Sequence, residues 1–316
     1  MKVSVIICTH NPRPDALRRV LDALRTQTLP KEQWELLLVD NSSHEPLGKS
    51  WDLSWHPHAR HIRENELGLT PARLRGTRES KGEHLVFVDD DNIVAEDYLF
   101  QAVSIFDRWP MLGAVGASIK GEFEVPPPGW IIPHLDGLVV FELERDHWSN
   151  SAGWSLATPY GAGLCVRRCV AEDYAAKVGG SQLRRRLDRA GTGMGAGGDL
   201  DLAWCAIDLG MGTGRFVALK VTHLIPMIRL TEDYVVRLKI GFAAAHEILS
   251  TLRTNGPTHQ RASWSRHGRL LLNLWRARGI ERRILLGAEK ARRAVKRSLS
   301  QVDLRVKPTN RETNEW

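Results

Sequence analysis

The chain has 316 residues, 42% of them hydrophobic and 26% charged, and carries a net charge of +7. That length suits a core domain of about 220 residues with an appendage better than two large domains. No apolar run approaches the roughly 18 residues of a membrane span. The opening MKVSVIICTHN lacks the basic start and cleavage site of a signal peptide, so a cytoplasmic protein whose fold begins at Met1 is expected. Cys8, Cys165, Cys169 and Cys205 form no CxxC pair and have no histidine at zinc-ligand spacing, so all four are expected to be reduced, small core residues.

Val3–Thr9 is a continuous β-rich run, suited to a strand covered on both faces. After the loop HNPRP, Leu17, Val20, Leu21 and Leu24 recur at three- and four-residue spacing and predict a helix. Trp34–Val39 predicts a strand ending at Asp40, and an irregular Trp- and His-rich stretch leads to a short strand near Arg60–Arg63. Thr70 followed by Pro71 has the order of an N-cap and first helical turn, and Gly82 closes that segment. The run Leu85–Val88 is the next strand, and it ends abruptly in Asp89, Asp90 and Asp91. Further on, Pro126–Pro128 and Gly129 mark a turn, and Tyr160–Val166 predicts a strand. Gly191–Gly198 reads as a mobile lid beside Asp199, because it matches neither a dinucleotide fingerprint in context nor a P-loop with its lysine. Leu200–Leu209 predicts a helix, and a strand then reaches His223. From Thr231 to about Ser300 the pattern is mostly helical, and Lys307–Trp316 reads as a polar, disordered tail.

Alternation of strand and helix implies a parallel sheet whose ligands gather at the C-terminal ends of its strands. Thr9–Asn11, Asp40 and Asp89–Asp91 all fall at such ends. Three adjacent carboxylates at the end of a buried strand need a counter-charge. A divalent cation bridging to a phosphate supplies one and keeps coordination positions for a substrate. The residues therefore point to a metal-dependent enzyme acting on a phosphorylated, nucleotide-linked substrate; the plainer alternative is a solvated acidic turn.

The segments VSVIICTHNPRPDALRRVLDALRTQ, LLLVDNSS, ENELGLTPARLRGTRESKGEHLVFVDDDN, GGDLDLAW and THLIP, in this order, resemble an inverting family 2 glycosyltransferase of the GT-A fold over about residues 1–230. The resemblance implies an α/β fold: a mixed, mainly parallel sheet flanked by helices, with a helical C-terminal extension. It implies a catalytic domain over residues 1–228, divided near 118 into a nucleotide-sugar half and an acceptor half. A basic helical extension over 229–304 and a tail over 305–316 would follow. It also implies a nucleotide-sugar donor of UDP or dTDP type, a divalent metal (Mn²⁺ or Mg²⁺), and inverting transfer to a hydroxyl of a glycan or lipid-linked acceptor.

By the same resemblance, Asp91 holds the metal and Asp89 faces the donor ribose, while Asp90 assists either or pairs with a cation. Thr9, Asn11 and Asp40 cradle base and ribose, with Asp40 accepting from an imide N–H of uracil or thymine. Arg73 either contacts the donor or forms a salt bridge on a helix surface. His223 either completes the metal sphere or is a satisfied structural histidine. An attacking hydroxyl needs a general base within hydrogen-bond reach, and Asp199 stands where the family has its catalytic acid. Gly198 replaces a Glu common there, which by the resemblance removes an orienting carboxylate and leaves Asp201 as a rival base; either aspartate also suits a plain N-cap. Trp154, Tyr160 and Gly161–Gly163 lie where an acceptor floor is expected, or in ordinary core.

Between Arg261 and Arg297 twelve basic residues face only Glu281 and Glu289, interleaved with Leu274, Trp275, Ile280, Ile284 and Leu285. This predicts amphipathic helices that either pack on the catalytic domain or dock on an anionic membrane surface. Nucleic-acid binding is not expected, because three rim carboxylates repel phosphate unless a metal intervenes. A haloacid-dehalogenase-type phosphatase would want Thr or Val after DxDx, where Ile93 stands. A nucleotidyltransferase would open with a glycine-rich basic loop, and HNPRPDA is not one.

Overall fold

The computed structural model describes residues 1–151, 153–189, 193–253 and 272–301. In chain order its elements are β1 (Val3–Thr9), α1 (Pro14–Arg25), β2 (Trp34–Asn41), β3 (Ala59–Glu64), α2 (Leu69–Glu79), β4 (His84–Asp89), β5 (Asn92–Val94), α3 (Tyr98–Arg108) and β6 (Leu112–Phe123). There follow β7 (His147–Ser149), β8 (Leu164–Arg167), α4 (Arg168–Gly179), α5 (Gln182–Arg185), α6 (Gly198–Asp208), β9 (Gly212–Ile225), α7 (Glu232–Arg253) and α8 (Gly279–Gln301). One mixed sheet runs β3-β2-β1-β4-β8-β6-β9-β5, with β7 on β9. β3, β2, β1 and β4 are parallel, β6 and β9 are parallel, and β8 runs antiparallel between β4 and β6.

The apolar runs are continuous because this sheet is covered on both sides. Successive side chains of a strand point to opposite faces. Val3, Val5, Ile7, Leu36, Leu38, Val86 and Val88 therefore pack with Leu17, Val20, Leu21 and Leu24 of α1. Ile6, Leu37, Val39, Leu85 and Phe87 pack on the other side with Ala72 of α2, Val170 and Tyr174 of α4 and Leu202 of α6. Each such fully buried aliphatic side chain contributes roughly 1.5–3 kcal/mol. The register then sets the rim, with Thr9 opposite Asp40, Asp40 opposite Arg63, and Cys8 opposite Asp89.

Several expectations change in the structure. Tyr160–Gly163 is a turn, and the strand begins only at Leu164. Gly163 sits at φ +72, left-handed backbone that suits glycine, and Gly161 turns its N–H towards Asp199. Thr70 does not cap α2, which starts after Gly68; its hydroxyl donates to Asp188 Oδ2 at 2.9 Å instead. Cys8, Cys165 and Cys205 are buried or half-buried, but Cys169 lies exposed on α4; all four are free thiols. The described part of the glycine-rich loop is packed, since a Cβ on Gly197 would meet Ala245 and Leu249 of α7 and one on Gly195 the backbone of Asp188.

α7 and α8 pack on each other and on the domain. Ile280 and Ile284 join a cluster around Leu230, Val235 and Leu238, while Val295 and Leu299 join one around Leu187 and Trp204. Those four apolar residues of α8 thereby face the domain, while Leu286, Arg282, Arg292 and Arg293 remain exposed. No helix among the described residues is long and apolar enough to cross a membrane. Arg261, Arg266, Arg269, Gly191 and the tail Lys307–Trp316 lie outside the described residues.

Candidate active site

A cavity of 740 Å³ opens at the C-terminal rim of β1, β2 and β4. Thr9, Asp89, Asp90 and Asp91 line one side and Arg73, Asp188, Arg189 and Asp199 another. Trp154 and Tyr160 line it, as do Leu238, Phe242 and Leu249 of α7. The helical extension is thus part of the cavity wall, which the sequence reading did not foresee.

The acidic turn is built by two pairings. β4 ends at Asp89, and β5 starts at Asn92 antiparallel to β9, with Asn92 opposite His223. Leu224 N donates to Asp91 O at 2.8 Å, so Asp91 and His223 become neighbours, 3.6 Å apart from Oδ2 to Nε2. Burial raises the pKa of Asp89. Burial and the adjacent Asp91 charge push Asp90 up to about 7, against the pull of the Thr9 hydroxyl that donates to it. Burial also opposes the charge on Asp91, yet the Arg229 guanidinium beside it holds its carboxyl well below the usual range.

Arg229 was missed in the sequence. It lies in the 3₁₀ turn Met227–Leu230 that follows β9. Its Nη2 donates to Asp91 Oδ2 at 2.8 Å, and its Nη1 lies 2.9 Å from His223 Nε2. A guanidinium has only donors, so His223 Nε2 presents its lone pair there and Nδ1 carries the proton, buried and without a partner among the described residues. One carboxylate oxygen and one imidazole lone pair at this separation suit a divalent cation such as Mn²⁺. Asp91 and His223 are the residues that can hold it.

Asp199 opens α6 and is half-buried at the cavity wall. Its Oδ2 accepts from Gly161 N at 2.7 Å and its Oδ1 from Leu200 N at 2.9 Å. A Cβ at position 161 would come within 3.0 Å of Arg73 Nη2 and 3.2 Å of Asp199 Oδ2, so glycine permits this close backbone approach. Burial raises the pKa of Asp199, opposed by Arg73 and reinforced by Asp188. Asp201 is placed differently: it is fully buried, does not line the cavity, and is gripped by both its oxygens by Arg184 Nη1 at 2.6 and 2.5 Å. It is a structural ion pair.

Arg73 is 4% exposed, so it is no helix-surface residue. It bonds Asp188 at 3.2 Å, and its charge also acts on Asp89 and Asp199. Tyr160 packs edge-on to Trp154, with ring centroids 5.4 Å apart, and Trp154 is largely exposed. Together they form an aromatic wall near Asp199.

Two expected donor residues do not reach this cavity. Asp40 accepts from Ser43 N at 3.0 Å, from Leu47 N at 3.1 Å and from Arg63 Nη1 at 2.5 Å. Burial disfavours its charge, but these bonds hold its pKa below the usual range. Its carboxylate organises the loop after β2, and Asn41, one residue on, lines the cavity instead. Asn11, at φ 48, accepts from His44 N through Oδ1 and lines a neighbouring groove with Ser43 and Trp51.

The mixed sheet, with acidic residues at its parallel rim and a half-buried aspartate across the cavity, has the architecture of the GT-A fold. Residues 4–157, just under half of the chain, match the family model described as Glycosyl transferase family 2. It is 25% identical to Glycosyltransferase AglE of Haloferax volcanii over 177 residues, 54% of this chain and 54% of AglE. The chain thus spans about half the length of the curated relatives it matches, or less. S. aureus TarS 1–349 in complex with UDP-GlcNAc superposes with a TM-score of 0.53 at 14% identity, covering 94% of this chain and 92% of that one. GalNAc-T7 with UDP, GalNAc and Mn²⁺ does so with a TM-score of 0.51 at 17% identity, covering 79% and 51%. At such identities the likeness concerns the fold.

Proposed function

We propose that the protein is a metal-dependent inverting glycosyltransferase that uses a uridine-diphosphate sugar, with Asp199 as general base. The observation that carries this reading is the placement of Asp199 and the Asp89–Asp91 turn on one cavity, with an aromatic wall beside them. Asp91 and His223 would hold the divalent cation, which would supply positive charge to offset the negative charge developing on the departing diphosphate. Asp89 and Thr9 face the donor, and Arg73 adds a buried positive charge beneath it. Asp199 takes the proton of the attacking hydroxyl, and its raised proton affinity suits that role better than an ordinary carboxylate. Trp154 and Tyr160 offer ring faces for a glycan or lipid-linked acceptor. With Asp40 engaged elsewhere, the uridine preference rests on the UDP-sugar complex of the TarS neighbour. The GalNAc-T7 neighbour holds Mn²⁺, and the imidazole in the ligand set favours that ion over Mg²⁺.

A thermal-shift screen of UDP, dTDP, GDP and their sugars, with and without Mn²⁺, tests the reading. A true donor stabilises by about 2.7 kcal/mol at a hundredfold excess over its Kd. Stabilisation by UDP compounds only with Mn²⁺ is expected; no shift with any nucleotide would end the proposal.

Arg229 and a divalent cation need the same lone pairs. Arg229→Ala is expected to lower the melting temperature without metal, because Asp91 loses its cation. It is also expected to tighten Mn²⁺ binding without nucleotide by about tenfold, the worth of one charge-assisted hydrogen bond. Calorimetry showing unchanged or weaker Mn²⁺ affinity would remove the competition.

The exposed Arg282, Arg292 and Arg293 of α8, with Trp275 81% exposed nearby, support docking on an anionic membrane surface. Each basic residue near such a surface adds about 1 kcal/mol. Co-sedimentation with phosphatidylglycerol vesicles that weakens with salt is expected, and absence of binding at low salt would exclude it.

A further inference from the structure

Position 198 carries no side chain, yet the space a side chain would fill there is occupied. A Cβ built on Gly198 would lie 2.4 Å from Cγ of Asp188, and 2.3 and 2.6 Å from its two oxygens. In a glutamate the carboxyl carbon stands about 2.5 Å from its own Cβ, two bonds away. The Asp188 carboxyl group therefore sits where the carboxyl group of a glutamate at position 198 would reach. It arrives from outside the helix, from the segment between α5 and α6.

Its bonds give it a task. Asp188 Oδ1 accepts from Gly198 N at 3.2 Å, at the first turn of α6. Its Oδ2 accepts from Thr70 Oγ1 at 2.9 Å and from Arg73 Nη1 at 3.2 Å, both on α2. Gly195 presses against the Asp188 backbone, where a Cβ would come within 2.6 Å of its carbonyl oxygen. One buried carboxylate thus joins α2 to the start of α6 and aims Arg73 at the Gly161 turn, whose N–H holds Asp199.

We propose that Asp188 is the positioning residue of the catalytic base, supplying across space the orienting carboxylate that Gly198 lacks. The proposal rests on the reading of Asp199 as base. The groups facing Asp199 are Arg73, Asp188, Tyr160 and the N–H groups of Gly161 and Leu200. Of these Asp188 raises the proton affinity of Asp199 and Arg73 lowers it. Loss of the Asp188 charge therefore moves the acidic limb of the kcat–pH profile to lower pH.

The test moves the carboxylate back along the chain. Asp188→Ala and Gly198→Glu are each expected to lower the melting temperature by about 5 °C or more, the first by unpairing Arg73 and the second by overcrowding. The double variant Asp188→Ala/Gly198→Glu is expected to recover most of that loss. It should also raise Mn²⁺-dependent UDP-sugar turnover at least tenfold above Asp188→Ala. Asp188→Asn, which keeps the shape, should shift the acidic limb down with donor KM unchanged, and the double variant should return it. A double variant melting no higher than the worse single variant overturns the exchange of carboxylates. Recovered melting with the pH profile unmoved in every variant makes Asp188 merely structural and also overturns the proposal. If the wild type turns over no nucleotide sugar, the base reading falls, while the melting cycle still decides whether the two carboxylates are interchangeable.

Discussion

Asp91→Ala is expected to abolish Mn²⁺-dependent UDP binding and to lower turnover by about three orders of magnitude or more. Charge neutralisation by a bound cation is worth several kcal/mol in such a transition state, and each 1.36 kcal/mol is tenfold in rate. Asp91 is the rim acid placed for this, because its depressed pKa keeps it ionised and His223 stands 3.6 Å away. Asp90 is less suited, being bonded to Thr9 and raised to about 7 by burial and its neighbour's charge. Asp90→Asn is accordingly expected to cost far less. Calorimetric titration of Mn²⁺ in the presence of UDP reads the difference directly. Heat in Asp91→Ala equal to wild type would place the cation elsewhere. Among the described residues Asp173, Cys205 and Asp208 also bring ligand atoms within 4.8 Å of one another. There the Lys177 ammonium bonds both carboxylates at 2.5 and 2.7 Å, so that cluster already has its cation.

The parallel half of the sheet was legible because strands buried on both faces must read as unbroken apolar runs. Val3–Thr9, Trp34–Asn41 and His84–Asp89 show this, and their ends put Thr9 and the acidic triplet on one rim. Local pattern also placed Asp199 at the start of a helix. It could not show what reaches a site from far along the chain. Asp188 meets Thr70 and Arg73 across more than a hundred residues, within the run RRRLDRAG that reads as plain basic sequence. Arg229 follows His223 by six residues, but only a turn after β9 folds its guanidinium back onto Asp91. Asp40 misled for a related reason. It lies at the correct rim, yet register puts Arg63 beside it on β3, and that pairing is invisible until β3 is known to flank β2. Tyr160–Val166 looked like one strand because its apolar residues are contiguous, while Gly161 and Gly163 fold its first half into the turn that holds Asp199.

Asp199→Asn is expected to leave UDP binding within about twofold of wild type while lowering kcat for transfer by about 10²–10⁴, the usual worth of a positioned general base. The substitution keeps the shape but removes the group that accepts the hydroxyl proton. It also changes the local bonding, since Asp199 accepts from both Gly161 N and Leu200 N and an amide oxygen satisfies only one of them well. A stability loss of about 1–2 kcal/mol is expected from that. Asp201→Asn should give the opposite pattern. Its carboxylate, fully buried against Arg184 with Arg253 at 3.8 Å, has no access to the cavity. Breaking such a pair costs about 3–5 kcal/mol of stability, with kcat of the surviving folded protein nearly intact. Measuring melting temperature, UDP affinity and single-turnover transfer on both variants separates the two roles. Transfer at the wild-type rate in Asp199→Asn would show that no side chain at the start of α6 accepts the proton.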